Sequence, residues 1–574
     1  MGRQDLVLIH APSVYDFRKE FLFYGPVSDL VPSTPVFEMY PFGFMTIAAH
    51  LHSKGYKVRI LNLASMMLND PELDVPRLLG RLEAEVYGID LHWLPHAQGS
   101  LEVARMVKEL HPGSRVLFGG YSSTYYQKEL IRYPQVDMVM RGDSTELPMG
   151  QLFDALFGGG RIDRIPNLTW KEDDRVVENP MTFVPQDLDF IDIDYGWIIR
   201  SVIRHHDLEG HKPFKDWDRY PLTVTFTVRG CHQGCQVCGG SCSAMSGFLQ
   251  RERAAFRSPE RVAQDIRDIQ TYLRAPTFVV GDLRAGGKDY ADRFFTEAKK
   301  LDIDNPIILE LFTPANRSFY QKAKRALPSY SIEFSPDSHS EEVRYASGRR
   351  FHTLAMEKTV VHALENDCSR FDLFFMIGLP RQTAQSALES AAYSRHLYSL
   401  TGNDARLFVF TSPLAPFLDP GSAAFENPGK LGYRLFARTL EDHRRRLLSP
   451  SWKYVLSYET EWMTRDDIVD ASYEAADILN RCRCECGLIE VGDLETRLER
   501  TEMAREMMQD IDLAVAIIDE PERRRELDRL RQKGHALMDS TICQKRDLEW
   551  ESSSVLRSVP RAMFGLVRPR KRKG

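Results

Sequence analysis

The chain contains no apolar run long enough to span a bilayer as a helix, so a helical integral membrane protein is excluded. Its opening residues do not read as a signal peptide. The opening MGRQDLVLIHAP moves straight into a strand-like segment, without the basic and apolar regions of a secretory signal. Cysteine is scarce, nine among 574 residues. An odd count without an export signal argues against a disulfide framework and for a reducing cytoplasm. No strong excess of one charge is present either. A net charge of −6 gives no general reason to expect a nucleic-acid partner, and no RNA-binding module is recognisable. Short-period repeats are absent. A hydrophobic fraction of 43% and a charged fraction of 27% fit a soluble globular protein. Its length is too great for one core and implies two to four domains.

Two series of strands alternate with helices. In residues 1–150, DLVLIHAP, YKVRILNLA, EVYGIDLHW, SRVLFGG and VDMVMRGD read as strands, near-continuously apolar as in sheets covered on both faces. Between them, PFGFMTIAAHLHSKG reads as a helix ending on Gly55. SLEVARMVKELHPG places Val103, Met106, Val107 and Leu110 on one helical face. This pattern predicts an open parallel, Rossmann-like sheet, with ligands at the carboxyl ends of its strands. Residues 151–219 read as a connector containing one hairpin, NLTWKEDDRVVENP. The second series fills 220–420, with strands at 222–228, 276–282, 307–313, 331–337, 371–380 and 405–413. A helix follows the first of them, capped by Ser258, with Pro259 in its first turn and Val262, Ile266, Ile269 and Leu273 on its buried stripe. Six such units predict a partial barrel. Residues 421–574 read as mainly helical and end in a basic stretch, SVLRSVPRAMFGLVRPRKRKG, that could rest on an anionic membrane surface.

Three of the nine cysteines, Cys231, Cys235 and Cys238, fall in TVRGCHQGCQVCGG with C-x3-C-x2-C spacing, just after the first strand of the second series. Three thiolates on one loop can hold a soft metal. Zinc prefers a fourth ligand, usually from a second pair, and no second C-x2-C is present; a zinc loop remains the alternative. Three ligands also suit a four-iron cluster with one iron left open. In spacing and placement the triplet resembles the radical S-adenosylmethionine (SAM) family over roughly 220–420. The resemblance implies a 4Fe-4S cluster on the three cysteines, SAM on the fourth iron, and a reductase, flavodoxin or ferredoxin as electron donor. It also assigns SAM contacts to Asp282 in VVGD, Glu333, Arg349, and Gly378 and Pro380 in FMIGLP. Val237 departs from the aromatic residue usual before the third cysteine, and Cys242 reads as a neighbour of the cluster.

With an α/β domain placed before the barrel, the chain resembles the cobalamin-binding-domain radical SAM family, through YPFGFMTIAAHLHSKGYKV, LFGGYSSTYY and DMVMRGDSTE. Cobalamin contacts are then expected at Asp90, His92, Gly119, Gly120, Ser122 and Gly142. The D-x-H-x-x-G motif that supplies a cobalt-binding histidine after the first strand is absent. His92 is therefore expected to be a pocket or structural residue, and His96 has no stronger claim. The family resemblance implies an enzyme acting at unactivated carbon, with C-methylation by a 5′-deoxyadenosyl radical and methylcobalamin the leading reaction. The alternatives are cyclisation, rearrangement or C–C joining, on a small-molecule or lipid-like substrate, and a non-catalytic cobalamin or metal sensor. Cys482, Cys484 and Cys486 in RCRCECG are read as buried or incidental, a second metal site being the alternative.

Overall fold

The computed structural model describes residues 2–20, 23, 34, 36–173, 175–414, 416–534, 543–550 and 562. Seven strands make the first sheet: β1 (Gln4–His10), β2 (Val58–Asn62), β3 (Ala84–Asp90), β4 (Arg115–Gly119), β5 (Met138–Met140), β6 (Leu168–Glu172) and β7 (Arg175–Glu178). Their spatial order is β2-β1-β3-β4-β5-β6-β7. The first five are parallel, and the hairpin β6–β7 adds to β5 in antiparallel pairing. All five expected strands are present. The hairpin covers the otherwise open edge of β5, so this sheet runs to Glu178 and not only to residue 150.

Both faces of this sheet are covered, which is why its strands read as continuous apolar runs. Leu6 and Leu8 face a core formed with Phe44, Met45, Leu152 and Phe153 of the helices Gly43–Ser53 and Glu146–Gly158. Val7 and Ile9 point the other way, toward Val103 and Val107 of the helix Ala97–Leu110. That helix buries Val103, Met106 and Val107 as its period predicts. Leu110, its last residue, is exposed instead, since the helix ends there.

The second half begins with β8 (Thr223–Phe226), followed by a two-residue pair, β9 (Val228–Arg229) and β10 (Ala255–Phe256). Then come β11 (Thr277–Val280), β12 (Ile307–Leu311), β13 (Tyr330–Asp337), β14 (Arg370–Ile377) and β15 (Leu407–Pro413). The order β15-β14-β13-β12-β11-β8 is sequential and parallel throughout, a six-stranded partial barrel as expected. The helix Pro259–Tyr272 starts where the sequence places it: Ser258 accepts a hydrogen bond from the Arg261 amide at 3.2 Å, and Val262, Ile266 and Ile269 are buried. At the open edge, the Tyr195 hydroxyl accepts from the Val224 amide at 2.9 Å, satisfying a strand donor that has no neighbouring strand. Phe214, Leu222, Phe278, Ile308 and Trp550 fill the base of the barrel. There the Arg370 guanidinium lies 4.2 Å from the Phe408 ring centroid and 4.6 Å from that of Trp550, and donates to the backbone oxygens of Asp547 and Glu549.

The C-terminal region is mainly helical, as expected, with long helices at Arg465–Glu485, Val491–Val515 and Glu520–Gly534. Tyr458, Ile468 and Met508 share one core with Val7 and Val103 of the first domain. Among the described residues no helix is long and apolar enough to cross a membrane. The basic stretch read as a possible membrane contact lies, but for Ala562, outside the described residues.

Candidate active site

The cysteine loop leaves the barrel at the carboxyl end of β8. Two backbone N–H groups turn toward its sulfurs: Gln233 to the Cys231 Sγ and Gly240 to the Cys238 Sγ, each at 3.3 Å. Such donors stabilise thiolate charge. The loop is clamped from two sides. Gln236 N donates to Ser347 O at 2.9 Å, and Gly239 N donates to the Asp419 carboxylate at 3.0 Å. Burial pushes the Cys231 and Cys235 thiols up, against the pull of Arg349. Cys238 is exposed at its surface, and its thiol is pushed up to about 12, chiefly by desolvation. Protonated thiols of this kind become ligands when a cation displaces their protons. Tetrahedral zinc would draw three sulfurs to within about 4 Å of one another. Among the described residues, the only trio whose ligand atoms all lie within 4.8 Å is His10, His92 and His96, not the cysteines. Cys482, Cys484 and Cys486 lie on the last turn of a helix and its cap, outside any such trio.

Arg349 sits beside the thiols. Burial works against its charge, but Asp337, Cys235 and Cys238 outweigh that and hold its pKa above the ordinary value. Its Nε lies 3.2 Å from Asp337, and it donates to Phe312 O at 3.0 Å. Asp282 is 3% exposed and engaged within the protein: Arg284 Nε donates to it at 2.9 Å and Phe312 N at 3.0 Å. Gly378, at φ +99°, lies under the Tyr458 ring; its amide donates to Gln382 and its carbonyl accepts from the Tyr433 hydroxyl at 2.7 Å. Pro380 is buried two residues on.

One row of carboxyls crosses the barrel interior. Register pairs Glu310 on β12 with Glu333 on β13, and Glu333 with Asp372 on β14. Asp372 is held by Arg370 at 2.8 Å, yet burial pushes its carboxyl up to about 6. Glu310 accepts from the Gly281 amide at 2.7 Å, and burial pushes it up to about 7. Glu333 is 4% exposed and its Oε2 has no partner; burial, then Asp372 and Glu310, push its pKa well above the ordinary value. A buried acceptor left open in this way is ready for a donor from a bound molecule. Glu310 was not singled out from sequence, although an acid within the apolar run IILELFT was the available signal.

At the carboxyl ends of the first sheet, Asp90 lies between two imidazoles. The Nδ1 of His10 is 3.0 Å away and that of His92 is 2.6 Å away. Burial opposes the Asp90 charge, but His10 and then His92 overcome it and hold the carboxyl below its usual range. His96 is fully enclosed, and burial holds its imidazole well below the ordinary value and neutral. Gly120, at φ +115°, passes so close to the next strand end that a Cβ would stand 2.4 Å from the His92 Cα. Asp90, His92, Gly119, Gly120 and Gly142 line one cavity of about 830 Å³, whereas Ser122 is buried away from it. Of the six residues assigned to cobalamin, five therefore face a common space. His10, the last residue of β1, was missed; a histidine ending the apolar run LVLIH was its signal.

Two buried ion pairs join this cavity to the cysteine loop. Arg229, two residues before Cys231, meets Glu146 at 2.6 Å, and Arg251 meets Asp143, with one N–O distance of 2.8 Å. Burial works against the Glu146 charge, but Arg229 holds the carboxyl below its usual range. The RGDSTE turn of one domain is thereby pinned to the cluster loop of the other. Sequence periodicity carries no signal for pairs so far apart in the chain.

Residues 30–149 match the B12 binding domain family. An anaerobic magnesium-protoporphyrin IX monomethyl ester cyclase from Synechocystis is 23% identical over 239 residues, covering 40% of this chain and 43% of that protein. The chain thus aligns with less than half of the cyclase's length. The fold matches that of TsrM from Kitasatospora setae, a radical SAM methyltransferase, with a TM-score of 0.54 at 14% identity, covering 75% of this chain and 78% of that one. It also matches OxsB, a cobalamin-dependent SAM radical enzyme, with a TM-score of 0.52 at 11% identity over 98% of this chain and 80% of that one. Residues 30–149 thus match a B12-binding domain, and the chain shares its fold with radical SAM enzymes, one of them cobalamin-dependent, with the cysteine triplet placed just after the first barrel strand.

Proposed function

We propose that the chain methylates an unactivated carbon, using a 4Fe-4S cluster, SAM and cobalamin. The observation that carries this reading is the pinning of the cluster loop to the cobalamin-side cavity by the pairs Arg229–Glu146 and Arg251–Asp143. A substrate between the two cofactor sites then meets both. When bound, the cluster and SAM supply a 5′-deoxyadenosyl radical and cobalamin supplies a methyl carrier.

The chain's own residues bind, orient and enclose. Cys231, Cys235 and Cys238 hold the cluster, with N–H donors already aimed at two of the sulfurs. Arg349 offers a cation to the SAM carboxylate, and Glu333 offers an unfilled acceptor inside the barrel. Asp282, bound to Arg284, orders the turn after β11, where Glu310 holds the Gly281 amide beside the place proposed for the methionyl group. Gly378 and Pro380 bound the adenine end. Asp90, His92, Gly119, Gly120 and Gly142 shape the corrin side, with Ser122 behind them. A low-potential protein donor supplies the electron.

The test is anaerobic turnover with methyl-labelled SAM in a metabolite extract. Methyl transfer yields S-adenosylhomocysteine together with 5′-deoxyadenosine, and one metabolite gains a labelled methyl group. A similarity to a cyclase favours the second reading, ring formation or other rearrangement; 5′-deoxyadenosine without matching S-adenosylhomocysteine would establish it. Failure to cleave SAM at all, with iron and sulfide present, would leave only a binding or sensing role. Replacing Cys231 by alanine is expected to abolish cleavage.

A further inference from the structure

The cavity has a second wall that the cobalamin-binding fit does not explain. Its first wall comes from the sheet, at Leu8, Gly88, Leu117 and Met140. The second lies outside residues 30–149: Ile198, Ile199, Val202 and Ile203 on the helix Tyr195–His205, facing Val224 and Phe278 at the barrel edge.

Among the described residues, every charged side chain on the cavity wall already has a protein partner. Asp90 is taken by His10 and His92, Asp143 by Arg251, and Glu146 by Arg229. Lys212 lies 2.5 Å from Glu209 and 2.8 Å from Asp218. Three neutral polar tips are also turned back into the protein, while the Tyr121 and Tyr272 hydroxyls remain on the wall. His211 bonds Ser201 and Asp207 O, Trp217 Nε1 donates to Leu222 O at 2.7 Å, and the Tyr195 hydroxyl serves β8. A polar substrate entering this lobe would shed its hydration for few new partners, which costs free energy. An apolar one gains by burial alone. The lobe reaches the surface at Ile203, 57% exposed, and Leu208, 43% exposed, so its mouth is apolar too.

We propose that this lobe takes an extended hydrocarbon chain, of isoprenoid or acyl type, and that such a chain carries the carbon to be modified. The chemical fate of the chain rests on the radical SAM reading above; its binding does not. Full-length protein, reconstituted anaerobically with iron, sulfide and hydroxocobalamin, is titrated calorimetrically with farnesol, hexadecanoic acid and tryptophan, each below its aggregation concentration. At least one chain should bind and tryptophan should not. Which chain binds distinguishes the isoprenoid from the acyl source. Ile199→Glu or Ile203→Glu, each placing a carboxylate on the lobe, should weaken binding about tenfold or more. Ile203 is exposed, so that variant folds even where Ile199→Glu does not. Absence of binding by both chains, binding unaltered in both variants, or tryptophan binding as tightly as either chain would overturn the inference. Iron, cobalamin and SAM cleavage are measured on the same samples. Loss of those with chain binding intact sinks the radical reading alone; the reverse sinks only the chain.

Discussion

At Glu333 the barrel keeps a buried carboxyl whose second oxygen has no partner in the protein. A group this enclosed favours its neutral form, and Asp372 and Glu310 reinforce that, so its folded pKa lies well above the ordinary 4.5. An acid with a raised folded pKa contributes stability that is complete below the unfolded value and lost as pH climbs through the folded one. Glu333→Gln removes that loss. Urea melts of the cofactor-free protein should show little difference between parent and variant near pH 5. Near pH 9 the variant should be more stable by on the order of 1–3 kcal/mol, the cost of a buried unsatisfied group. Parallel pH profiles would refute this. The same variant should bind SAM more weakly, because an amide nitrogen replaces one of the two carboxyl oxygens that can accept there. Asp90 shows the opposite design: two imidazoles satisfy it, and Asp90→Asn is expected to lower stability by about 3–5 kcal/mol, as breaking a buried pair does, read by the same melts.

At the scale of elements, the turn around Gly348 is where the cluster loop is shaped. Gly348 has φ +92°, and a Cβ there would stand 2.4 Å from the backbone oxygen of Gly234 and 3.0 Å from the Cys235 Cα. Gly348→Ala adds strain in the turn and pushes directly on backbone between two candidate ligands. It should lower iron and sulfide per chain about twofold or more while the melting of the barrel changes little. Full iron loading would show that the loop does not depend on this contact. The strands themselves were legible in sequence, because a parallel strand covered on both faces reads as an unbroken apolar run. So was the helix after β8, whose cap and stripe are local signals. The place of the hairpin at 168–178 was not, since its pairing with β5 depends on a partner remote in sequence. Nor was the closure of the barrel base by Trp550 and Arg370, which joins residues far apart in the chain. The site follows the same division. The cysteine triplet was visible because its ligands share one loop, and Glu310 and His10 were missed because each is a single polar residue in an apolar strand.

For the whole molecule, what matters is how one domain is held against the other. Arg251 is 2% exposed, meets Asp143 with two nitrogens and donates to Pro185 O at 2.9 Å. Taking these ions out of water costs several kcal/mol each, and their attraction returns that only while both are present. Arg251→Met therefore leaves Asp143 buried without its partner and should destabilise the protein by about 3–5 kcal/mol. Asp143→Asn should do the same from the other side. The double variant Arg251→Met with Asp143→Leu replaces the pair by apolar volume and should recover most of that loss. If the pair served stability alone, the recovered protein would also recover turnover. A pair that fixes the cluster loop against the cobalamin side does more: it sets an orientation that a methionine and a leucine have no reason to reproduce. The double variant is then expected to melt like the parent, load iron and cobalamin like the parent, and cleave SAM, yet transfer fewer methyl groups per SAM cleaved. Equal coupling in parent and double variant would show that the domains are aligned by their apolar contacts, and that these two charges serve only to satisfy one another.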